Sequence, residues 1–395
     1  MKFFLLIVFF AFFSPGLFAQ DWSGIMDSTV NYTAGAGEAP DHSFGFEQFA
    51  NLRLRVRTRD SVVFHAALNL AAMSGNYLES ASSPLIYGPN YAAILELERL
   101  YFRITGEHID TEAGLLRMNF GYGQVWASSD FLNPRNPMLQ NARNRGVLGM
   151  NFSIYPADTL RFMAFATAPS NPQEIEGAGF TPGLVMDKHW ERGSFQGLYA
   201  FKTPGFSELP EDFDPPYTST KNGIHYFGFS LKFDLGPGFV LDSLYSLNPE
   251  ELNGIDSLSS GIGFDYSFMG GSLYLLFEYL FNGSTSITAV NSGGNWVNNH
   301  FLYGSAMYRI SDFTSFNLAA IFCMDDLSFQ PIFRLSYEAF QGFTLSLSAR
   351  LPLDKRNFGG AEAGELGPIP PYTEGTAHEG RGTKFYMDIS ARLRY

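Results

Sequence analysis

Apolar and polar residues alternate with a period of two along most of this 395-residue chain. From Phe343 to Leu351 every second residue is apolar, and the residues between them are threonine, serine and arginine. Successive side chains of a β-strand point to opposite faces, so the pattern predicts strands with one apolar and one mainly polar face. The same alternation occurs at residues 52–57, 225–235, 258–268 and 385–395.

The connections between these segments alternate in length. Short turns are followed by longer polar loops, and this asymmetry is typical of outer-membrane barrels, whose short turns lie in the periplasm. We therefore predict an all-β fold, a transmembrane antiparallel up-and-down β-barrel with long extracellular loops. The short turns are predicted at 58–60, 157–159, 236–238, 269–271 and 341–342, and the loops near 75–91, 124–145, 282–299 and 352–382.

Composition supports a barrel more than a soluble protein. Phenylalanine and tyrosine are frequent (40 and 20 residues), whereas charged residues make up only 16% of the chain. After residue 19 no stretch is apolar enough for a membrane helix. A soluble β-sandwich of about 375 residues would need several domains and linkers, and no linker is evident.

The number of strands is the open point of the prediction. Nine strands can be counted back from Tyr395 to about residue 223, and about eight forward from Trp22 to residue 203. Together these make an odd number of strands, whereas a barrel with both termini in the periplasm needs an even number. Either a strand is hidden in the proline-rich stretch 169–222, or residues 22–34 lie outside the wall. We expect about 16 strands, with 18 or 14 as alternatives, because single-chain bacterial barrels favour even numbers.

The N-terminus has the plan of a secretory signal peptide. Lys2 precedes the apolar run from Phe3 to Phe13, and Ala19 ends a segment suited to cleavage before Gln20. We predict residues 1–19 as a cleaved signal peptide and 20–395 as a single outer-membrane barrel with an internal loop at 123–137. The final strand, ending in Leu393 and Tyr395, resembles the C-terminal assembly signal of such barrels, so outer-membrane lipid and the barrel-assembly machinery are the expected partners.

Charge and cysteine content exclude several classes of function. The chain carries 26 basic and 39 acidic residues, a net charge of −13, which argues against a nucleic-acid partner. Cys323 is the only cysteine, so neither an intramolecular disulfide nor a cysteine-built metal site is possible. We expect no metal, no cofactor and no catalytic residues, because the seven histidines are scattered and no Gly-x-Ser-x-Gly elbow occurs.

One segment carries a motif. Residues 128–134 read Ser-Ser-Asp-Phe-Leu-Asn-Pro, and residues 145–147 read Arg-Gly-Val before the next strand. Over about residues 95–168 the chain resembles the alginate-export-like porins, although its tryptophan follows Gly123 and does not precede a glycine. The resemblance implies that this segment lies inside the barrel and narrows the pore. The alternative is an ordered surface loop. The candidate pore residues are Trp126, Asp130, Asn133, Arg135, Arg145 and Arg117.

Arginines outnumber acids on the faces predicted to line the lumen. The arginine-rich strand 52–57 is an example, whereas Glu96 and Arg99 fall on opposite faces of 94–104 and leave that strand's orientation open. Basic residues in a narrow pore favour anions, unless carboxylates neutralise them. The sequence therefore predicts a channel for passive diffusion of small polar solutes, with anionic solutes as one alternative, and it allows a homo-oligomer. The alternatives are a structural or adhesive barrel without an open pore and, less favoured, a barrel enzyme.

Overall fold

The computed structural model describes residues 19–35, 42–59, 61–80, 84–133, 146–168, 179–203, 223–248, 257–283, 300–325, 327–353 and 384–395. These residues are mostly extended chain. The strands are β1 (Ala19–Gly35), β2 (His42–Arg59), β3 (Val62–Gly75), β4 (Ile86–Gly88), β5 (Tyr91–Thr105), β6 (Ile109–Leu116), β7 (Val147–Ala157), β8 (Leu160–Ala168), β9 (Thr181–Trp190), β10 (Gly193–Lys202), β11 (Ile224–Asp234), β12 (Gly238–Leu247), β13 (Leu258–Phe268), β14 (Leu273–Asn282), β15 (His300–Arg309), β16 (Thr314–Cys323), β17 (Phe329–Phe340), β18 (Phe343–Arg350) and β19 (Lys384–Arg394).

The strands form one closed antiparallel ring. Each wall strand pairs with the next along the chain, and β1 pairs with both β2 and β19, which closes the sheet. The three-residue strand β4 pairs only with β5 and is not part of the ring, so the wall has 18 strands. A closed ring leaves no free sheet edge, as a sheet in lipid requires.

The wall confirms the 18-strand alternative and not the central estimate of 16. The stretch 169–222 contains two wall strands, β9 and β10, and residues 22–34 belong to β1. The parity conflict therefore came from a strand hidden in the proline-rich stretch. With an even number of strands, both ends of the wall sequence lie at the same end of the barrel.

The two faces of the wall differ in polarity. On β1, Met26 and Val30 are exposed on the outside, whereas Asp27, Thr29 and Asn31 are buried on the inside. Apolar side chains cover the outside around the ring, as the alternation predicts for a lipid-facing surface. Among the described residues, no helix is both long and apolar enough to cross a membrane.

Connections at one end of the barrel are short. Turns of two or three residues join β7 to β8, β9 to β10, β11 to β12 and β17 to β18. In the last of these turns Gly342 has a φ of +83°, a backbone conformation that side chains with a Cβ rarely adopt. This is the short-turn end, and the opposite end, from which the longer connections leave, is the long-loop end.

A β-bulge in β5 settles which of its charged residues face the lumen. β3 and β5 pair residue by residue except between Ala67 and Leu68, where Glu98 is the extra residue of β5. The extra residue reverses the alternation, so Glu96 on one side of it and Arg99 on the other both face inwards.

The C-terminal strand completes the ring as predicted. Met26 of β1 lies opposite Leu393, and the Gly24 amide donates a 2.9 Å hydrogen bond to the Tyr395 carbonyl oxygen. A Cβ on Gly24 would lie 2.5 Å from the Tyr395 ring, so glycine makes room for the terminal aromatic side chain. Residues 1–18 of the predicted signal peptide lie outside the described residues.

Candidate functional site: an inner segment and the wall opposite

The chain leaves the wall after β6 and continues inside the barrel. Leu116, Met118 and Phe120 keep the alternation of a strand and are 1%, 4% and 2% exposed. They pack against the inner faces of β8 to β12, where Met163, Phe165 and further apolar side chains point into the barrel. Residues 117–133 are called the inner segment below.

Aromatic rings hold the returning half of the inner segment against the same wall. Phe131 stacks on Phe120, with ring centroids 5.9 Å apart, and on Tyr226 of β11 at 4.6 Å. Phe120 also contacts the ring of Phe165 on β8 at 5.3 Å. Because both halves of the segment share one apolar cluster, they are packed as a unit.

Trp126 forms a second anchor farther around the ring. It is 5% exposed and packs with Leu280, Phe301 and Cys323 on the inner faces of β14, β15 and β16. The inward face of β14 mixes leucines with polar residues, and this contact explains why. Leu280 on that face packs against Trp126 of the inner segment. The lone cysteine is a buried member of this cluster.

A carboxylate on the wall accepts three consecutive backbone amides of the inner segment. The amide of Gln124 donates to Oε1 of Glu278 at 2.6 Å, and those of Val125 and Trp126 donate to Oε2 at 3.0 and 2.9 Å. Glu278 is 3% exposed, on the inner face of β14. Hydrogen bonds to an ionised acceptor are stronger than those between neutral groups, so this carboxylate fixes the segment's position.

Other polar wall residues bind the inner segment along its path. Asp242 on β12 accepts a 2.5 Å hydrogen bond from the Ser129 hydroxyl, and Asp265 on β13 accepts one of 3.0 Å from the Gln124 side chain. The amide of Gly121 donates to the Gln196 side chain on β10 at 2.7 Å. The segment is thus bonded to the inner face from β10 to β14.

The structure places four of the six predicted pore residues. Trp126, Asp130 and Asn133 are 5%, 1% and 6% exposed. The Asn133 side-chain amide donates to the Met118 carbonyl at 2.6 Å, so these residues shape and anchor the segment. Arg117 is partly exposed and donates to the Asn119 side chain at 2.9 Å.

Two predicted residues, Arg135 and Arg145, lie outside the described residues. Sequence reasoning missed the anchoring role of Glu278 and Asp242. The sequence feature that could have identified them is that each is an acidic residue in the middle of an inward face that is otherwise apolar or uncharged.

The opposite side of the lumen is rich in arginine. Residues of β17 to β19 and of β2 and β5 contribute, and several are paired. Arg392 bonds to Asp27 at 2.5 Å, and Arg103 to Asp110 at 2.6 Å. The inward arginines of this wall, called the basic arc below, are Arg53, Arg55, Arg57, Arg99, Arg103, Arg334, Arg350, Arg392 and Arg394.

Part of the basic arc is not neutralised. Arg55 and Arg57 are exposed inside the lumen, and no described carboxylate lies within 4.0 Å of their nitrogen atoms. Near the short-turn end, Arg53, Arg55 and Arg99 line a pocket of about 370 Å³ together with the stacked rings of His65 and Tyr101, 4.8 Å apart. The basic arc therefore presents exposed positive charge at these two residues.

A short helix, Asn76–Ser80, also folds inwards from the long-loop end. The Asn76 side chain donates to Asn31 at 2.6 Å and to Thr33 at 3.0 Å, both on the inner face of β1. A Cβ on Gly45 of β2 would collide with Asn76, so a glycine is required at this approach. Burial raises the pKa of the Tyr77 hydroxyl, and nearby carboxylates raise it further, so this group stays protonated and uncharged.

Among the described residues, no group of three or more His, Cys, Asp or Glu side chains is placed to hold a metal ion. No protein-family model matches the chain. A search of curated proteins also gives no match.

Solved structures share the fold over nearly the whole chain. Acinetobacter baumannii OccAB4 has a TM-score of 0.55 at 10% identity, covering 97% of this chain and 100% of that one. Pseudomonas aeruginosa OccK8 (OprE) has a TM-score of 0.57 at 9% identity, covering 95% and 98%. The outer membrane protein opdK of Pseudomonas aeruginosa has a TM-score of 0.53 at 9% identity, covering 95% and 99%. These similarities establish the barrel fold.

Proposed function

We propose that this protein is an outer-membrane channel for passive diffusion of small polar solutes, with a preference for anions. The observation that carries the proposal is the two-sided lumen, in which an anchored inner segment lies on one side and the basic arc on the other, where Arg55 and Arg57 make no ion pair with a described residue. Fixed positive charge in a confined space raises the local concentration of anions. The outward apolar surface and the similarity in fold to the outer membrane protein opdK support the location.

The proposal includes the processing and partners expected from the sequence. Residues 1–19 are removed as a signal peptide, residues 20–395 form the mature barrel, and the barrel-assembly machinery inserts it. The long loops face the outside of the cell. The specific likeness to alginate-export-like porins, and the pore roles of Arg117, Arg135 and Arg145, also belong to this proposal. The role of Arg117 rests on the alternation of its segment, whereas those of Arg135 and Arg145 rest on the resemblance carried by the motif at 128–134 and 145–147.

Planar-bilayer recordings of the purified protein test the function. A channel gives steady single-channel conductance, and in a KCl gradient its reversal potential shifts towards that of chloride. A structural or adhesive barrel with a blocked lumen gives no conductance, and that result would contradict the proposal. Hydrolysis of lipid or ester without conductance would favour an enzyme.

Replacing residues 123–137 with a short Gly/Ser turn tests the role of the inner segment. We expect higher conductance and weaker discrimination between solutes, because the segment occupies part of the lumen. The apolar inner face of β14 to β16 loses Trp126, so the variant should also unfold at a lower temperature. A Gly/Ser replacement of the turn 311–313, at the short-turn end, is the control. Unchanged conductance and selectivity would place the segment outside the conducting path.

A further inference from the structure

Three histidines occupy equivalent positions on the outside of the barrel at the long-loop end. His42 and His300 are the first residues of β2 and β15, and His225 is the second residue of β11. In each case the ring Nδ1 lies within hydrogen-bond distance of the hydroxyl of a tyrosine on the preceding strand. The Oη–Nδ1 distances are 2.8 Å for Tyr32–His42, 2.9 Å for Tyr199–His225 and 2.7 Å for Tyr279–His300.

The three pairs share one cross-strand geometry. In each hairpin the tyrosine lies two residues before the residue directly opposite the histidine, which is Ala34, Phe201 or Phe281. The paired rings are stacked, with centroids 5.9 to 6.1 Å apart and interplanar angles of 11° to 29°. The same diagonal Tyr–His arrangement recurs in three separate hairpins, which indicates that the barrel carries three copies of one site.

The pairs face away from the lumen. The neighbours of Tyr32 in β1, Asn31 and Thr33, are buried on the inside, so the tyrosine points outwards. Leu198 and Ala200 flank Tyr199 in the same way, and Tyr199 itself is 39% exposed. Each pair therefore lies on the lipid-facing surface, at the border of the apolar belt nearest the long loops.

The hydrogen bond occupies Nδ1, so Nε2 is the ring nitrogen left for contacts with the surroundings. In the tautomer in which Nδ1 accepts the hydrogen bond from the tyrosine hydroxyl, Nε2 carries the ring proton and is a donor. Two residues farther into the belt lie Phe44, Phe227 and Leu302, so an apolar surface adjoins each donor. A fitting ligand has acyl chains and a headgroup that accepts hydrogen bonds.

We propose that the three Tyr–His pairs are binding sites for the phosphate groups of outer-leaflet lipids. A phosphate only accepts hydrogen bonds and is anionic, so it matches an N–H donor better than a neutral headgroup does. The acyl chains would lie along the adjoining apolar side chains. This inference rests on the outer-membrane location proposed above, but it is independent of whether the lumen conducts.

Native mass spectrometry of the folded barrel with phosphatidic acid tests the sites. We expect up to three retained molecules, and none with diacylglycerol of the same acyl chains, which lacks the phosphate. The variants H42F, H225F and H300F should each lose one retained molecule, and the triple variant all three. Removing the three hydroxyls in Y32F/Y199F/Y279F should also reduce retention, because the histidine tautomer is no longer fixed.

The control is H189F, because His189 lies at the short-turn end and bonds to Ser194. It should retain three molecules. Equal retention of diacylglycerol, or unchanged retention by a triple variant with normal heat-modifiable mobility, would overturn the proposal. Conductance is measured in parallel. If the triple histidine variant loses lipid binding but keeps its conductance, the lipid sites and the proposed channel function are distinguished from each other.

Discussion

At the scale of single residues, Glu278 is the side chain on which the position of the inner segment depends most. Its two oxygens accept hydrogen bonds from three consecutive amides, at 2.6 to 3.0 Å, and the side chain is 3% exposed. Hydrogen bonds to a charged group contribute about 1.5–3 kcal/mol each. A glutamine at this position has no charge and a single acceptor oxygen, so it cannot replace the carboxylate.

We expect Glu278→Gln to loosen the inner segment without unfolding the barrel. Single-channel recordings should show larger and more frequent current fluctuations than those of the wild-type protein. Asp234→Asn is the matched control. Asp234 is exposed at the short-turn end of β11, and this substitution removes one negative charge, as Glu278→Gln does. If the two variants give the same steady current, Glu278 does not hold the segment in the conducting state.

Residue-level alternation predicted most lumen-facing side chains but failed where the backbone departs from a regular strand. Strict alternation put Glu96 and Arg99 on opposite faces, whereas the bulge at Glu98 brings both into the lumen. No local feature of the sequence marks that bulge. Leu280 interrupted the polar inward face of β14 for a different reason, because it packs with Trp126, which is distant in sequence.

At the scale of elements, the closing strand β19 carries a testable prediction. Leu393 and Tyr395 are on its outward face, and replacing both with Asp puts charge on the lipid-facing surface. The cost is about 2–4 kcal/mol per site at mid-depth and less near the rim. We expect the double variant, and deletion of Tyr395, to abolish membrane insertion, as measured by the yield of heat-modifiable barrel.

Arg394→Asp is the control for this prediction, because it introduces the same side chain on the adjacent inward position of β19. This variant should insert normally. A normal yield of folded barrel from the Leu393/Tyr395 double variant would show that the outward face of β19 is not required for assembly.

Strands were predictable from sequence where both faces are clear, and the nine strands from β11 to β19 follow the alternation closely. β9 is less regular. Pro182 lies near its start, where a strand tolerates proline, and the charged residues Asp187 and Lys188 interrupt the apolar pattern. The inner segment was expected inside the barrel from a resemblance. Its anchors depend on contacts between distant strands, which local pattern does not contain.

At the scale of the whole molecule, the barrel divides its lumen into two sides. The inner faces of β8 to β16 carry two apolar clusters and the polar side chains that bind the inner segment, which lies against them. The inner faces of β17 to β19 and of β1 to β6 are polar and charged, and they stay open to the lumen. In the proposed channel the path for solutes therefore runs between the segment and the basic arc, where Arg55 and Arg57 make no ion pair with a described residue.

This arrangement predicts a change in ion selectivity when Arg55 and Arg57 are replaced. Arg55→Gln/Arg57→Gln should move the reversal potential in a KCl gradient towards that of potassium, because fixed positive charge is lost where water screens it weakly. Folded yield should be unchanged, since neither side chain has an ion pair with a described residue. Lys188→Gln/Arg192→Gln removes the same charge outside the lumen, at the short-turn end, and should leave the potential unchanged. If both double variants shift the reversal potential equally, total charge and not the basic arc sets the preference for anions.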